Sequence, residues 1–388
     1  MVRAAMDYNP LDPATLRDPY PVYRRLREAH PVHWNDAMGC WVLSRYEDCR
    51  FVLKDHDAFS NDMRKVGEFV PDAGINIQTI DPPEHSAVHS LLMNSVRHQN
   101  LADFEAAVLS EATRRLASLA VRPQFDLVTD FVEPLCLRSI SEFFGVTPPE
   151  SDFFREIAHR IVRSMDSALV PEAQAPGVRA MAQLAELVDS WLAEPPAHGL
   201  LGYLARRQHA EDGLPRQMLV NSVRVLFLAG STSLAAAITS GLHVLVREGV
   251  NLDRLGRGEE LDVAVEELFR FDPPIQGTTR VCLRDTTVGA VHVKRGEFVL
   301  VLFGAANRDP DRFAEPDRFV VDRRPNPHLG FGWGVHACVG GLFAKLMMRA
   351  TVAGLARYPE FRQVGPVEFR DQATVRAASR LPVSLSRH

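Results

Sequence analysis

A mainly α-helical fold with small β-sheets, built as one domain over residues 1–388, is what this sequence predicts, on three observations. Helical periodicity dominates from about residue 83 to 270. Alternating, strand-like runs are confined to short stretches near 32–43 and 291–303. No Gly/Ser linker, charge block or internal repeat divides the 388 residues. A hydrophobic share of 46% against 24% charged residues suits a large buried core and excludes disorder. The net charge of -5 offers no basic field for nucleic acid and no polybasic membrane patch.

Taken in order, Tyr20 to Glu28 reads as an amphipathic helix entered after Asp18-Pro19, with Arg24, Arg25 and Arg27 on its wet side. Strands around Val32-His33-Trp34 and Trp41-Val42-Leu43 flank a turn at Asn35-Asp36. Helices are then expected at about Pro83–Val96, Ala102–Leu119, Asp130–Phe144, Ser151–Ser167, Gly177–Leu192, Arg216–Val246 and Leu261–Arg270. Val291 to Phe303 reads as a hairpin turning at Lys294-Arg295-Gly296. Asp309 to Pro327 is an irregular loop long enough to be functional, followed by a helix from about Cys338 to Tyr358. Val225 to Val246 lacks Lys, Arg, Asp and Glu, but its hydroxyls and His243 point to a buried core helix and not a membrane span.

The five cysteines, Cys40, Cys49, Cys136, Cys282 and Cys338, form no close pairs, which argues against disulfides and zinc ribbons and for a reducing cytoplasm. The start, Met1-Val2-Arg3 through Asp7 to Pro10, lacks the apolar core of a signal peptide or membrane anchor.

The strongest chemical signal is Phe331-Gly332-Trp333-Gly334-Val335-His336-Ala337-Cys338-Val339-Gly340. Its glycines allow sharp turns and close approach to a flat ligand. Cys338 stands where a helix is expected to begin, so the helix dipole and free N–H groups favour a thiolate. The plainer alternative is a buried structural thiol. Glu267-Leu268-Phe269-Arg270 places Glu and Arg on one helix face, a spacing that solvated ion pairs also use. His85 and His89, at i and i+4, could pair on a metal, but no third ligand is evident.

Together these segments resemble the cytochrome P450 superfamily of haem-thiolate monooxygenases, specifically its soluble bacterial members. The resemblance runs from Asp18-Pro19-Tyr20-Pro21 to the last helix. It implies a triangular, helix-rich domain holding haem b (iron protoporphyrin IX) between the long central helix and the helix after the cysteine loop. Cys338 is then the iron ligand, a thiolate that favours O–O cleavage, with Phe331, Gly332 and Gly340 around the cofactor. Glu267 and Arg270 would form a triad with Arg318 of Pro316-Asp317-Arg318-Phe319 and pin the cysteine loop. Haem propionates would be met by His85, His89, Arg280 and His336, with His89 standing where relatives carry Arg and titrating nearer neutrality.

In the central helix, relatives read Ala-Gly-x-Asp/Glu-Thr-Thr where this chain has Ala229-Gly230-Ser231-Thr232-Ser233-Leu234. By this resemblance Gly230 packs close over the haem. Ser233 is the alcohol that guides protons, its hydroxyl bonding back to Ala229, and Thr232 replaces the usual acid. Each hydroxyl can equally be a small residue suited to tight helix packing. By the same resemblance the pocket would be lined by the Asn61 to Ile80 loop, the region around Ile161 to Met181, the central helix near Leu226, Pro274 to Gly277 with Ile275 and Gln276, and a turn around Ala373 to Val375. Gln276 and Arg64 would be polar anchors for a largely apolar terpenoid, polyketide, aromatic or peptide-derived substrate.

No flavin or nicotinamide fingerprint is present, so electrons for dioxygen are expected from separate proteins, and the resemblance implies a ferredoxin with its reductase. Arg97, Lys345, Arg349 and Arg357 form a docking patch or ordinary solvated charges. The missing acid keeps other readings open: radical coupling or desaturation beside hydroxylation, or a haem protein that binds ligand without turnover. A peroxygenase is a further alternative, though Thr232-Ser233 supplies no cation for a fatty-acid carboxylate.

Overall fold

The computed structural model describes residues 8–208, 214–258 and 260–385. The segment Met1 to Asp7, expected to carry no anchor, lies outside the described residues. Pro13–Arg17 (α1) and Tyr20–Ala29 (α2) lead into Val32–Asn35 (β1), Cys40–Leu43 (β2), Tyr46–Lys54 (α3) and Phe59–Ser60 (β3). Glu84–Arg97 (α4), Leu101–Leu119 (α5), Phe125–Asp126 (β4), Glu133–Phe144 (α6), Ser151–Ser164 (α7) and Gln174–Ala193 (α8) follow. Next come Gly199–Gln208 (α9), Arg216–Arg247 (α10), Leu252–Arg257 (α11) and Leu261–Phe271 (α12). After these the chain alternates: Gly277–Cys282 (β5), Thr286–Val288 (β6), Val291–Val293 (β7), Phe298–Leu302 (β8), Phe303–Ala306 (α13) and Gly341–Leu355 (α14). Short strands close it at Arg362–Gln363 (β9), Glu368–Phe369 (β10), Ala378–Arg380 (β11) and Pro382–Ser384 (β12).

The long helices stand within a few residues of the expected bounds, because their apolar stripes are strong. The short helices α3, α9 and α11 were not foreseen. Local caps set several ends. Glu150 accepts hydrogen bonds from the N–H groups of Asp152 and Phe153 at the start of α7. Gly145 ends α6 in a left-handed conformation (φ +84°), where a side chain would meet the His198 carbonyl oxygen at 2.4 Å.

The expected hairpin over Val291 to Phe303 is corrected. β7 pairs with β6, whereas β8 lies inside a five-stranded sheet of order β1-β2-β8-β5-β3, parallel to β2 and antiparallel to β5. Phe298-Val299-Leu300-Val301-Leu302 is apolar on both faces, which suits a central strand better than half of an exposed ribbon. The Lys294–Gly296 turn therefore carries the chain between two sheets.

α10 runs through the core. Its most apolar window has a mean hydropathy of 1.6, enough for a membrane span, yet 61% of that window is buried within the fold. Phe227 is fully buried at its centre, with Phe144, Phe154 and Trp191 at ring-centroid distances of 5.3, 5.5 and 4.8 Å. Met348 of α14 packs on α10 at Gly241, where a β-carbon would come within 2.8 Å of the Met348 methyl. This close approach ties α10 to the helix that follows Cys338.

The loop from Asp309 to Pro327 is held by one buried carboxylate. Glu267 on α12 is fully buried and accepts two hydrogen bonds from Arg270, each 2.7 Å. The third member is Arg323, whose Nε donates to both Glu267 oxygens at 3.0 and 3.1 Å. Arg318 is not that member. Its side chain is 69% exposed and pairs with Glu315, and only its carbonyl is used, accepting from Arg270 and Arg323. Arg318 is turned outward, whereas Arg323 comes back under the loop to reach Glu267. Asn326 and the Val320 N–H complete the carboxylate's partners.

Removing one partner from a buried charge leaves the other uncompensated. Arg323→Ala is expected to destabilise the fold by about 3–5 kcal/mol in denaturant titrations, whereas Arg318→Ala leaves the unfolding midpoint unchanged. Equal effects of the two would return Arg318 to the triad.

Candidate functional site

Cys338 ends a loop shaped by two left-handed glycines, Gly332 (φ +69°) and Gly334 (φ +74°). At Gly334 a β-carbon would strike the Leu53 carbonyl oxygen at 2.5 Å, so this turn accepts only glycine. A 3-10 turn over Gly334–His336 follows, and the Cys338 N–H returns to the Phe331 carbonyl at 2.8 Å. Helix α14 begins at Gly341, three residues later than expected. Phe331 packs against Phe269 of α12 at 4.5 Å, with Lys345 Nζ 5.2 Å from its ring centre.

Cys40, Cys49, Cys136 and Cys282 are buried, while Cys338 is exposed. Burial nevertheless pushes the Cys338 thiol's pKa up, against lowering by the Gly340 N–H and by Lys345. Both observations hold if the sulfur faces an internal concavity and not bulk solvent. A thiolate there needs a strong positive charge beside it, which a coordinated metal ion supplies. The described residues contain no cluster of three His, Cys, Asp or Glu side chains able to hold a metal, so the His85/His89 metal pair finds no third ligand among them.

His85, His89, Arg280 and His336 fare as the sequence suggested in one respect: the three histidines form one cluster. The His85 ring lies 4.5 Å from His336 and 5.3 Å from His89, centre to centre. Arg280 on β5 is 4% exposed and spends Nη1 on Thr278 Oγ1 and the Thr279 carbonyl. Burial lowers its pKa to about 10, opposed by the field of Asp81. Asp81 is the residue that sequence reasoning passed over. It is buried, bonded by His336 Nε2 at 3.0 Å, by Lys65 Nζ at 2.8 Å and by Ser60. Burial alone would raise its pKa, but those hydrogen bonds outweigh it and hold the carboxyl well below the usual range. Its place in Asp81-Pro82-Pro83-Glu84-His85 was the available signal. One carboxylate thus serves a group of several potential cations, which leaves capacity for further anionic groups.

On α10, Ser233 Oγ donates to the Ala229 carbonyl at 2.9 Å, as expected, and Thr232 Oγ1 donates to Leu228 at 2.9 Å. Leu226, Ala229 and Ser233 are only half-buried on a helix otherwise largely buried, as are Val225, Gly230 and Thr232 beside them, so this stretch of α10 is left partly open for contact. At Gly230 the missing side chain makes room for Ile140 of α6, 2.4 Å from where a β-carbon would stand.

Gln276 is also corrected as a pocket anchor. Its oxygen accepts from the Tyr23 hydroxyl at 2.9 Å and its nitrogen donates to Pro273 at 2.7 Å, so both ends of the amide are engaged. Arg64 is tied to Asp62 and Glu84. Ile275 pairs with Val375 in an isolated bridge. Half of the expected basic patch is neutralised: Lys345 pairs with Glu266 at 2.5 Å, and Arg349 with Glu105 and Asp262. Arg97 and Arg357 are exposed.

Comparison with known proteins decides the family. The family description Cytochrome P450 matches residues 247–362. Beta-dihydromenaquinone-9 omega-hydroxylase of Mycobacterium tuberculosis is 31% identical over an alignment of 397 positions, covering 98% of this chain and 78% of that protein. The chain belongs to the cytochrome P450 family. Mycinamicin IV hydroxylase/epoxidase of Micromonospora griseorubida is 31% identical over 88% of each chain. The crystal structure of CalO2 superposes on this P450 with a TM-score of 0.89 at 28% identity, covering 99% of this chain and 100% of that one. The protein is therefore a P450 monooxygenase of bacterial type with the P450 fold and haem b as its cofactor. Such enzymes act on small molecules with dioxygen and electrons from redox partner proteins. The reading as a haem protein without turnover gives way to this kinship with hydroxylases.

The residues present fit haem: an accessible thiol in a glycine-shaped cradle, and a buried basic cluster with anion-binding capacity to spare. The buried histidines also set a pH dependence. Burial, then the neighbouring His336 and His89, lower the His85 pKa to about 4, and burial lowers that of His89. An unfolded histidine protonates near ~6.5, so between these values the unfolded chain binds more protons than the folded one. Stability of the haem-free chain is expected to fall as pH drops from ~6.5 to ~4, by up to about 3 kcal/mol from His85. His85→Gln should flatten that slope in urea titrations at pH 7 and 4.5; an unchanged slope would place the titrating group elsewhere.

Proposed function

We propose that this P450 oxidises a small, largely apolar, natural-product-like molecule, by hydroxylation or a related oxidation, with Cys338 as the iron ligand. The observation that carries this reading is Cys338 itself, an accessible thiol in a deep loop, beside a fold whose central helix leaves Leu226, Ala229 and Ser233 half-open. When bound, haem supplies the activation of dioxygen. Phe331 and Gly340 flank the sulfur, and the Gly340 N–H stabilises negative charge on it. Gly332 leaves the loop clear of side chain on the cofactor side. His85, His89, Arg280 and His336 are assigned to the propionates, with Asp81 holding His336 in place.

Ser233 is assigned to proton handling. Its hydroxyl hydrogen is engaged by Ala229, so its oxygen lone pairs are available to accept from water or from a polar group of the substrate. Thr232 cannot supply a proton as a carboxyl would, and its hydroxyl is turned to Leu228. Protonation therefore depends on water or on the substrate itself. The same feature favours radical coupling or desaturation as a second reading, since these demand a different proton economy.

A terpenoid or polyketide substrate is supported by the menaquinone and mycinamicin oxidations named for the relatives. A ferredoxin with its reductase is proposed as the electron source. Neutralisation of Lys345 and Arg349 leaves Arg97 and Arg357 as the remaining members of the expected docking patch. A single catalytic domain in the cytoplasm accords with five free thiols.

Optical titration of the ferric protein with terpenoids, macrolides and aromatic cyclic dipeptides is expected to give a saturable low-to-high-spin shift in one class, followed by product with a surrogate ferredoxin. No shift in any class would remove the proposed substrate range. Thr232→Glu is expected to change the ratio of product to electrons consumed; an unchanged ratio would count against substrate-dependent protonation.

A further inference from the structure

A cavity of about 750 Å³, counting its opening to solvent, lies on another face of α10. It is bounded by α10, α7, the start of α6 and the β10–β11 region. Its walls are mainly apolar, including Leu137, Phe154, Ala158, Val162, Ala235 and Ala236. At about 100° per residue, its α10 residues Ser231, Thr232, Ala235 and Thr239 face away from Leu226, Ala229 and Ser233, while Ala236 lies only about 20° round the helix from Ala229 and marks the edge between the two faces. Leu226, Ala229 and Ser233 do not line it, nor do Cys338 and the histidine cluster, while Val162 and Val375, which pack with Ile275, form the wall it shares with the expected substrate pocket.

A buried hydroxyl lines this cavity with nothing to bond. Thr239 is 2% exposed and its hydroxyl has no hydrogen-bond partner. A helical threonine ordinarily bonds back to its own helix, as Thr232 does, so this hydroxyl departs from the local pattern. Such a group costs stability unless something pairs with it. Gln372 also lines the cavity and is 4% exposed, with its amide not among the buried side-chain atoms that lack a partner.

The charged residues of the cavity are already matched. Glu133 accepts from Arg155 at 2.8 Å and from Arg370 at 2.9 Å, and Arg155 also bonds Asp152 at 2.6 Å. Burial first, then Arg370 and Arg163, lower the His159 pKa, against a raising effect of Glu133. No charge is left over to select an ionic ligand.

We propose that this cavity is a second small-molecule site, separate from the cysteine side, for a neutral and mainly apolar compound carrying a hydroxyl or carbonyl. That polar group pairs with Thr239, and the hydrocarbon body fills the space between Phe154 and Ala235. A ligand there lies on the Thr232 face of the helix whose other side carries Ser233.

The test is equilibrium dialysis of radiolabelled 1-adamantanol against the haem-loaded full-length protein, beside an optical titration that reports the iron side alone. Wild type is expected to hold an equivalent that Ala235→Phe loses, with the optical titration unchanged. Thr239→Val, which keeps shape and removes the hydroxyl, is expected to weaken that equivalent about tenfold. Adamantane-1-carboxylate is expected not to compete for it. Equal occupancy in wild type and Ala235→Phe, including none in either, overturns the site; preferential binding of the carboxylate overturns the neutral class. Intact reduced-carbonyl spectra show that the variants are folded. Absence of any optical response in wild type would instead count against the iron-side reading, leaving the dialysis comparison valid.

Discussion

The fully buried carboxylate of Glu267 is the constraint on which the cysteine side of the molecule depends. Two arginines, an asparagine and a backbone N–H converge on it, and through them α12 fixes the loop from Asp309 to Pro327. That loop leads directly into Phe331 and the glycines before Cys338. Breaking the cluster would strand charge in the core, so the loop has one favourable arrangement. The cluster's role is positional, and the chemistry it positions lies about a dozen residues further along the chain.

The second constraint is α10, which has to be both core and active-site wall. Its aromatic partners bury Phe227, and Gly230 and Gly241 admit Ile140 and Met348. What these contacts leave half-open is the stretch that includes Leu226, Ala229 and Ser233. Small and hydroxylated residues serve both ends, because they pack closely and can satisfy their own polar atoms on the helix backbone.

Much of this was legible in the sequence where a feature repeats or stands alone. Strong 3.6-residue stripes announced the long helices, and a lone cysteine among glycines announced the loop. The misses have a common physical cause: they depend on which of several chemically equivalent partners tertiary packing selects. Arg318 and Arg323 are both arginines of one loop, and only the path of the backbone decides which turns inward. Gln276 has the chemistry of a pocket anchor but is consumed by Tyr23 and Pro273. The β7–β8 run has hairpin spacing, yet the two-faced apolar character of β8 assigns it to the larger sheet. Asp81 was visible beside His85, but its function as the shared partner of His336, Lys65 and Ser60 exists only in three dimensions.

The account stands or falls on the sulfur of Cys338 as iron ligand. The direct measurement is the absorption spectrum of the haem-loaded protein, reduced and saturated with carbon monoxide, for wild type and Cys338→Ser. The account predicts the red-shifted Soret band of a thiolate-ligated carbonyl complex in wild type and its complete loss in the serine variant with haem still bound. An identical spectrum in both proteins, or a histidine-type band in wild type, would contradict it.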